Sequence, residues 1–366
     1  MDMKRVIVIA LSVFSMLFAG ISAFGAAKYQ YTEATALNVF NKLMPTENPW
    51  HRLDVAKYPG MTRSEQVQAK NCTGMSIAFR TNSPVIGVRA ILSDYPNGDI
   101  SPNLSIRGFD LYTLDSGRWE WAGSRWLSGT RDEKQEAVLL SNASGETREY
   151  ILNLPMRSEL ASLEIITAAG STIEASEAPF RSRIAVFGSS FTHGAGVSSP
   201  GMAYVSQLSR MTGLNFINMG FSGNSKLQPY FAKALAEADV DAYVFDSFSN
   251  PSIDQIKERL FPFIETIRAA KPGVPMIFMK TIRRQSRDFN VKNEKAEARR
   301  MEVADSLMKI AVKKYDDVYW VTSTDASSTE CSTTTDGTHP NDYGYLLWAE
   351  SVKKPICKIL RKYGIR

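Results

Sequence analysis

Between residues 29 and 180 apolar and polar positions alternate with period two, and turn-forming residues interrupt the pattern often. Met75-Ser-Ile-Ala-Phe-Arg80, Val85-Ile-Gly-Val-Arg-Ala-Ile91, Phe109-Asp-Leu-Tyr-Thr-Leu114 and Trp119-Glu-Trp-Ala122 each carry the alternation, with Gly, Pro, Asn and Asp clusters between them. Short alternating strands with frequent turns predict an antiparallel sandwich or barrel. From Arg183 onward the rhythm changes. Apolar strand candidates recur at 184–187, 216–219, 242–245, 276–279 and 318–321, with stretches of helical length at 202–211, 227–238, 253–270, 294–314 and 343–363. Buried strands alternating with such helices predict βαβ units and a five-stranded parallel sheet covered on both faces. The change of pattern falls between Ser171 and Ser182.

The chain of 366 residues is long enough for about two domains with sizeable cores. Its first residues read as an export signal: Met1-Asp-Met-Lys-Arg5, an apolar run from Val6 to Ala19, then small residues to Ala26. A membrane anchor needs roughly 20 apolar residues, and Gly20 and Ser22 break this run earlier. The expected organisation is a signal peptide over 1–25, a β-sandwich over 26–175 and an α/β domain over 180–366, giving a secreted or periplasmic protein with no stable membrane insertion after cleavage. Loss of Lys4, Arg5 and Asp2 lowers the net charge of +5 by one, and so small a surplus gives no argument for a nucleic-acid partner. Cys72, Cys331 and Cys357 lack metal-type spacing and allow at most one bridge; no metal or other cofactor is expected. Asn71-Cys-Thr and Asn142-Ala-Ser match the glycosylation pattern, which is short enough to arise by chance. The charge run Lys292–Arg300 reads as a solvated helix face.

Four polar blocks follow four of the predicted strands. Ser190 lies in Gly188-Ser-Ser-Phe-Thr-His-Gly194, Gly223 in Asn218-Met-Gly-Phe-Ser-Gly-Asn224, Asn250 in Asp246-Ser-Phe-Ser-Asn250, and Asp336 with His339 in Asp-Gly-Thr-His-Pro-Asn341. In a doubly wound sheet such loops open on one edge, so they can meet. These residue types suit acyl transfer. A serine hydroxyl needs a base, the base needs an orienting group, and the oxyanion needs preorganised donors. Ser190 is the candidate nucleophile, His339 the base and Asp336 its orienter. The Ser190 and Gly223 amides and the Asn250 side chain are the candidate oxyanion donors, with Gly220 a weaker competitor for the place of Gly223.

These blocks resemble the SGNH or GDSL hydrolases, named for a catalytic Ser, Gly, Asn and His in separate blocks; the resemblance covers roughly residues 183–363. It implies a flavodoxin-like three-layer fold and the same roles for Ser190, Gly223, Asn250, His339 and Asp336. Two blocks depart from the family pattern: Ser189 stands where an Asp is usual, and Phe248-Ser-Asn-Pro251 replaces Gly-x-Asn-Asp. The blocks look most like a bacterial subgroup with a β-sandwich ahead of the hydrolase, in which a Gly-x-Asp-Leu-Tyr stretch occurs, matched here by Gly108–Tyr112. In similar two-domain carbohydrate esterases the first domain is a jelly roll.

The resulting expectation is a serine esterase that removes small acyl groups, foremost O-acetyl, from oligo- or polysaccharides. Alternatives are a lipid esterase of the same fold and a degenerate carbohydrate-binding protein. His193 is expected to line the site, and Arg283, Arg284 and Arg287 to touch substrate or to form a solvated basic loop. His51 is read as structural, and Trp119, Trp121 and Trp126 as core or as a sugar-stacking platform.

Overall fold

The computed structural model describes residues 29–97, 100–322 and 332–366. The stretch read as an export signal and Cys331 lie outside them. Two antiparallel sheets form the first part. One has the order β1 (Tyr29–Glu33), β9 (Glu159–Ala168), β4 (Ile86–Asp94), β7 (Lys134–Leu140). The other has the order β10 (Ile173–Ala175), β3 (Ser76–Thr81), β8 (Arg148–Asn153), β5 (Gly108–Asp115), β6 (Arg118–Trp126), with β2 (Asn38–Phe40) also paired to β3. Their inner faces share one core, in which Val88, Ala90, Leu163 and Ile165 meet Ile77, Phe79, Leu111 and Leu152. The period-two alternation is what buries one face of each strand. Among the described residues of this part lie the α-helices α1 (Arg63–Lys70) and α2 (Asn103–Arg107). A capping box between Thr62 and Glu65 starts α1.

From Arg181 the chain builds the predicted parallel sheet, from β11 (Arg181–Gly188), β12 (Leu214–Gly220), β13 (Ala242–Asp246), β14 (Met276–Met279) and β15 (Val318–Val321). The strand order is β12-β11-β13-β14-β15, the flavodoxin-like arrangement. Along β11, Ile184 and Val186 face a core with α4 (Tyr204–Thr212) and α8 (Asp342–Leu360), while Ala185 and Phe187 face α5 (Pro229–Glu237), α6 (Ile253–Ala270) and α7 (Val291–Lys314). Between β11 and α4 lies a single turn, α3 (Ser190–His193). Helix α7 begins earlier than the apolar pattern indicates because Asn290 caps it through the Asn293 amide. No helix among the described residues is long and apolar enough to cross a membrane.

The two parts are clasped through Gly108–Tyr112. Buried Asp110 accepts the Gly201 amide at 2.7 Å and the Asn153 amide group at 2.7 Å, and Arg210 stacks over Tyr112 at 4.3 Å. A Cβ on Gly201 would lie 2.5 Å from the Tyr112 ring, so the clasp needs glycine there.

Candidate active site

Strands β11 and β13 are neighbours on either side of the point where the order reverses, so the loops after them face a common crevice. Ser190 is the first residue of α3. Its neighbour Ser189 caps that turn: its Oγ accepts from the Phe191 amide at 3.2 Å and donates to Asp246 Oδ2 at 2.8 Å. Thr192 Oγ1 donates to the same carboxylate oxygen at 3.1 Å. Burial pushes the Asp246 carboxyl up to about 6, against the hydrogen bonds from Ser189 and Thr192 and the field of Arg284. Gly188 has no room for a side chain, since a Cβ would lie 2.1 Å from Thr192 Oγ1.

His339 Nε2 lies 2.9 Å from Ser190 Oγ, and its Nδ1 lies 2.9 Å from Asp336 Oδ2. Asp336 Oδ1 accepts the Thr338 and His339 amides at 2.9 and 2.7 Å. Partial burial works against ionisation of Asp336, but the amide and ring hydrogen bonds from His339 and the Thr338 amide outweigh it and hold the carboxyl below its ordinary range. An ionised carboxylate only accepts. The proton therefore sits on Nδ1, leaving Nε2 to accept from the Ser190 hydroxyl.

Three further candidate donors were read from the sequence. No acceptor among the described residues meets the Ser190 or Gly223 amides, nor Asn250 Nδ2. Asn250 Oδ1 is buried without a partner. Gly220 is a different case: its amide donates to Asn218 Oδ1 at 2.9 Å, and a Cβ would stand 2.0 Å from the His193 nitrogen. Gly223, at φ +72°, has open space around it. Between the two glycines that the sequence left in competition, Gly223 alone has a free amide.

His193 is buried behind this loop. Its Nε2 lies 3.0 Å from the Met156 carbonyl and from Thr73 Oγ1, and its Nδ1 3.0 Å from Ser222 Oγ. Since a carbonyl only accepts, the proton sits on Nε2 and Ser222 donates to Nδ1. Burial, then Arg157 and Arg52, holds the ring well below the ordinary imidazole range, so it is neutral. The arginines after β14 are engaged with carboxylates: Arg283 with Asp288, Arg284 with Glu297, and Arg287 with both Glu294 oxygens. Arg284 and Arg300 also reach the Ser249 carbonyl, at 3.4 and 3.1 Å, next to Asn250. This bracing of the Asn250 loop has no sequence signal, because its acceptor is a backbone carbonyl. His51 pairs with Glu159 at 2.9 Å. Trp119 packs against Phe180 and Trp126 under Arg107, while Trp121 is exposed. Cys72 and Cys357 are free; Asn71 is buried and Asn142 exposed. A cavity of about 470 Å³ opens beside Ser222, with Val67, Gln68, Asn71 and Tyr95 of the first part and His193 of the second on its walls.

Residues 181–357 match the model of the GDSL-like lipase/acylhydrolase family, and residues 29–173 match that of the N-terminus of SGNH-hydrolase-type esterases with the Gly-x-Asp-Leu-Tyr motif. A search of curated proteins finds no match. Among solved structures, a Bacteroides ovatus protein described as a GDSL-like lipase is 36% identical, with 91% of this chain and 98% of that chain covered and a TM-score of 0.87. A family two carbohydrate esterase from Clostridium thermocellum, in complex with cellohexaose, shares the fold at 12% identity (80% and 94% covered, TM-score 0.58). So does an acetyl xylan esterase from the rumen bacterium Butyrivibrio proteoclasticus at 9% identity (92% and 100% covered, TM-score 0.57). The chain thus belongs to the GDSL-like lipase/acylhydrolase family, joined to the N-terminal domain of the SGNH esterases, and is an ester-hydrolysing enzyme.

Proposed function

We propose that the chain is a serine esterase that removes short acyl groups, foremost acetyl, from glycans. The observation that carries the reading is the continuous line from Ser190 Oγ through His339 to Asp336. Ser190 Oγ attacks the acyl carbonyl carbon while His339 Nε2 takes its proton. The charge that develops on the acyl oxygen is met by the amides of Ser190 and Gly223 and by Asn250 Nδ2. Collapse of the intermediate breaks the ester bond, and His339 returns the proton to the departing alcohol. Water, deprotonated by the same ring, then releases the acid and regenerates Ser190. Asp336 stays ionised throughout and holds the imidazole in the productive tautomer.

Several observations support a glycan as the alcohol. Of the proteins sharing this fold, one is described as a family two carbohydrate esterase in complex with cellohexaose and another as an acetyl xylan esterase. The cavity beside Ser222 is of small-ligand size and is lined in part by the amide side chains of Gln68 and Asn71. The apolar N-terminal stretch suits export to where polysaccharides occur. Ser190→Ala tests the reading: turnover should fall by several orders of magnitude with the thermal melt unchanged. Acetate release from acetylated oligosaccharides by the wild type alone completes the test; near-wild-type turnover in the folded variant overturns it.

A further inference from the structure

Arg52 is a buried guanidinium, 2% exposed, and makes no ion pair with a carboxylate among the described residues. Burial pushes it down to about 9, so it remains charged at neutral pH. Charges buried in this way are costly and rarely kept without a task. Its partners are carbonyls: NH1 donates to Gly220 O at 2.8 Å and NH2 to Gln68 O at 2.6 Å, with the guanidinium 4.6 Å above the Phe221 ring. Gln68 in turn donates from Nε2 to Ser222 O at 3.0 Å, and Arg157 donates to Ser222 Oγ at 3.2 Å. Ser222 closes the set through His193, whose other nitrogen rests on Met156. Gly220, the Phe221 ring and Ser222 are thus held by Arg52, Gln68 and Arg157, and through His193 by Met156, all four from the first part of the chain. The next residue is Gly223, whose side of the backbone is open and whose amide is free.

We propose that Arg52 and Gln68 are positioning residues for the oxyanion donor at Gly223: the first part of the chain clamps 220–222 from behind and so fixes where that amide points. The inference rests on the reading of Gly223 as an oxyanion donor. A free glycine at φ +72° has many accessible conformations, and an amide aimed by a clamped neighbour loses little of its effect to reorganisation. The β-sandwich then contributes to the chemical step itself, in addition to any contact it makes with substrate.

The test uses the full chain with Gln68→Ala, Arg52→Met and Arg52→Lys. Three quantities are read for each: kcat and KM on an aryl acetate, the inhibition constant of a trifluoromethyl ketone that forms a tetrahedral adduct on the serine, and the melting temperature. Positioning predicts that kcat and adduct affinity fall together while KM stays within about twofold. Loss of one oxyanion donor typically costs 10²–10³ in kcat; Arg52→Met should approach about 100-fold, Gln68→Ala about 10-fold, and Arg52→Lys should recover part of the loss through one carbonyl. A folded Arg52→Met or Gln68→Ala protein with wild-type kcat and wild-type adduct affinity overturns the proposal, as does a raised KM with unchanged kcat. If Arg52→Met does not fold, Gln68→Ala decides alone, since that side chain is only half-buried and its removal leaves no charge unpaired. Ser190→Ala separates the two levels: an active Ser190→Ala removes the site reading and this inference with it. An inactive Ser190→Ala beside a wild-type-like Gln68→Ala removes the inference only.

Discussion

Asn250→Ala should separate activity from stability. The residue sits in the turn after β13, with Oδ1 buried and without a partner and Nδ2 free of any acceptor among the described residues. An unsatisfied buried oxygen costs about 1–3 kcal/mol, and no group among the described residues hydrogen-bonds to this one. Truncation removes that cost. The space left opens on the half-exposed surface of the site, so the cavity penalty of a sealed core does not apply in full. Net stability should therefore be unchanged or higher, by on the order of 1 kcal/mol. Activity should move the other way. An oxyanion donor lost from a preorganised site costs about 2.7–4 kcal/mol in the transition state, or 10²–10³ in kcat. Hydrolysis of an aryl acetate and a circular-dichroism melt on the same preparation measure both. A kcat/KM within about threefold of wild type would remove Asn250 from the oxyanion site. A melting temperature lowered by more than about 5 °C would mean that the side chain holds the turn together, and that the activity loss is structural.

Gly220→Ala should be poorly folded, because its Cβ would stand 2.0 Å from a backbone nitrogen, whereas Gly223→Ala should fold at a cost of about 1–2 kcal/mol for its left-handed backbone; equal stability of the two in urea refutes the assignment of separate roles. Asp246 has a raised folded-state pKa, so the stability it contributes is full below its ordinary 3.8 and is lost as pH rises through about 6, a span worth roughly 3 kcal/mol. Asp246→Asn keeps an acceptor for Ser189 and Thr192 but does not ionise; its stability relative to wild type should rise between pH 4 and 6 and then level off, and a pH-independent difference in urea midpoints counts against this. On aryl esters, kcat/KM should be highest for acetyl and fall beyond about four carbons, because each methylene adds about 0.8 kcal/mol only where an apolar tunnel receives it. An optimum at eight carbons or more would point to a lipid substrate.

The sheet was legible because its strands are short, mostly apolar runs that alternate with stretches of helical length, the rhythm of βαβ units. The candidate site was legible for a related reason: Ser190, Asn250 and the 336–339 turn follow those strands at the edge where such sheets bind ligands. Contacts between the two parts of the chain were not legible. Arg52 meets Gly220 across 168 positions, and its acceptors there are carbonyls, which every residue has. Arg284 illustrates the same limit. Its place after β14 left substrate contact and a solvated basic loop both open, and its side chain reaches Glu297 on α7 and the Ser249 carbonyl. His193 lies three residues from Ser190, and its ring is buried against the Met156 carbonyl, Thr73 and Ser222, contacts that join distant parts of the chain and carry no sequence signal.

The two blocks that depart from the family pattern make sense together with what surrounds them. At position 189 the side chain must cap α3 by accepting the Phe191 amide, a task that Asp and Ser both perform. In this chain the same side chain also has to donate, because Asp246 presents a carboxylate oxygen 2.8 Å away. An aspartate at 189 would set two buried carboxyl groups within hydrogen-bond distance, and one of them would have to take a proton. Serine avoids this by accepting with one lone pair and donating its hydroxyl proton. Restoring the family's aspartate at 189 should thus be disfavoured alone but tolerated with Asp246→Asn, which returns a single carboxylate to the cap. In the other block, Phe248 packs against Phe278 and Trp320, and the Ser249 carbonyl receives Arg284 and Arg300. The turn that presents Asn250 is anchored on both its apolar and its polar side by groups from β14, β15 and α7, so it does not depend on the aspartate that usually follows the asparagine.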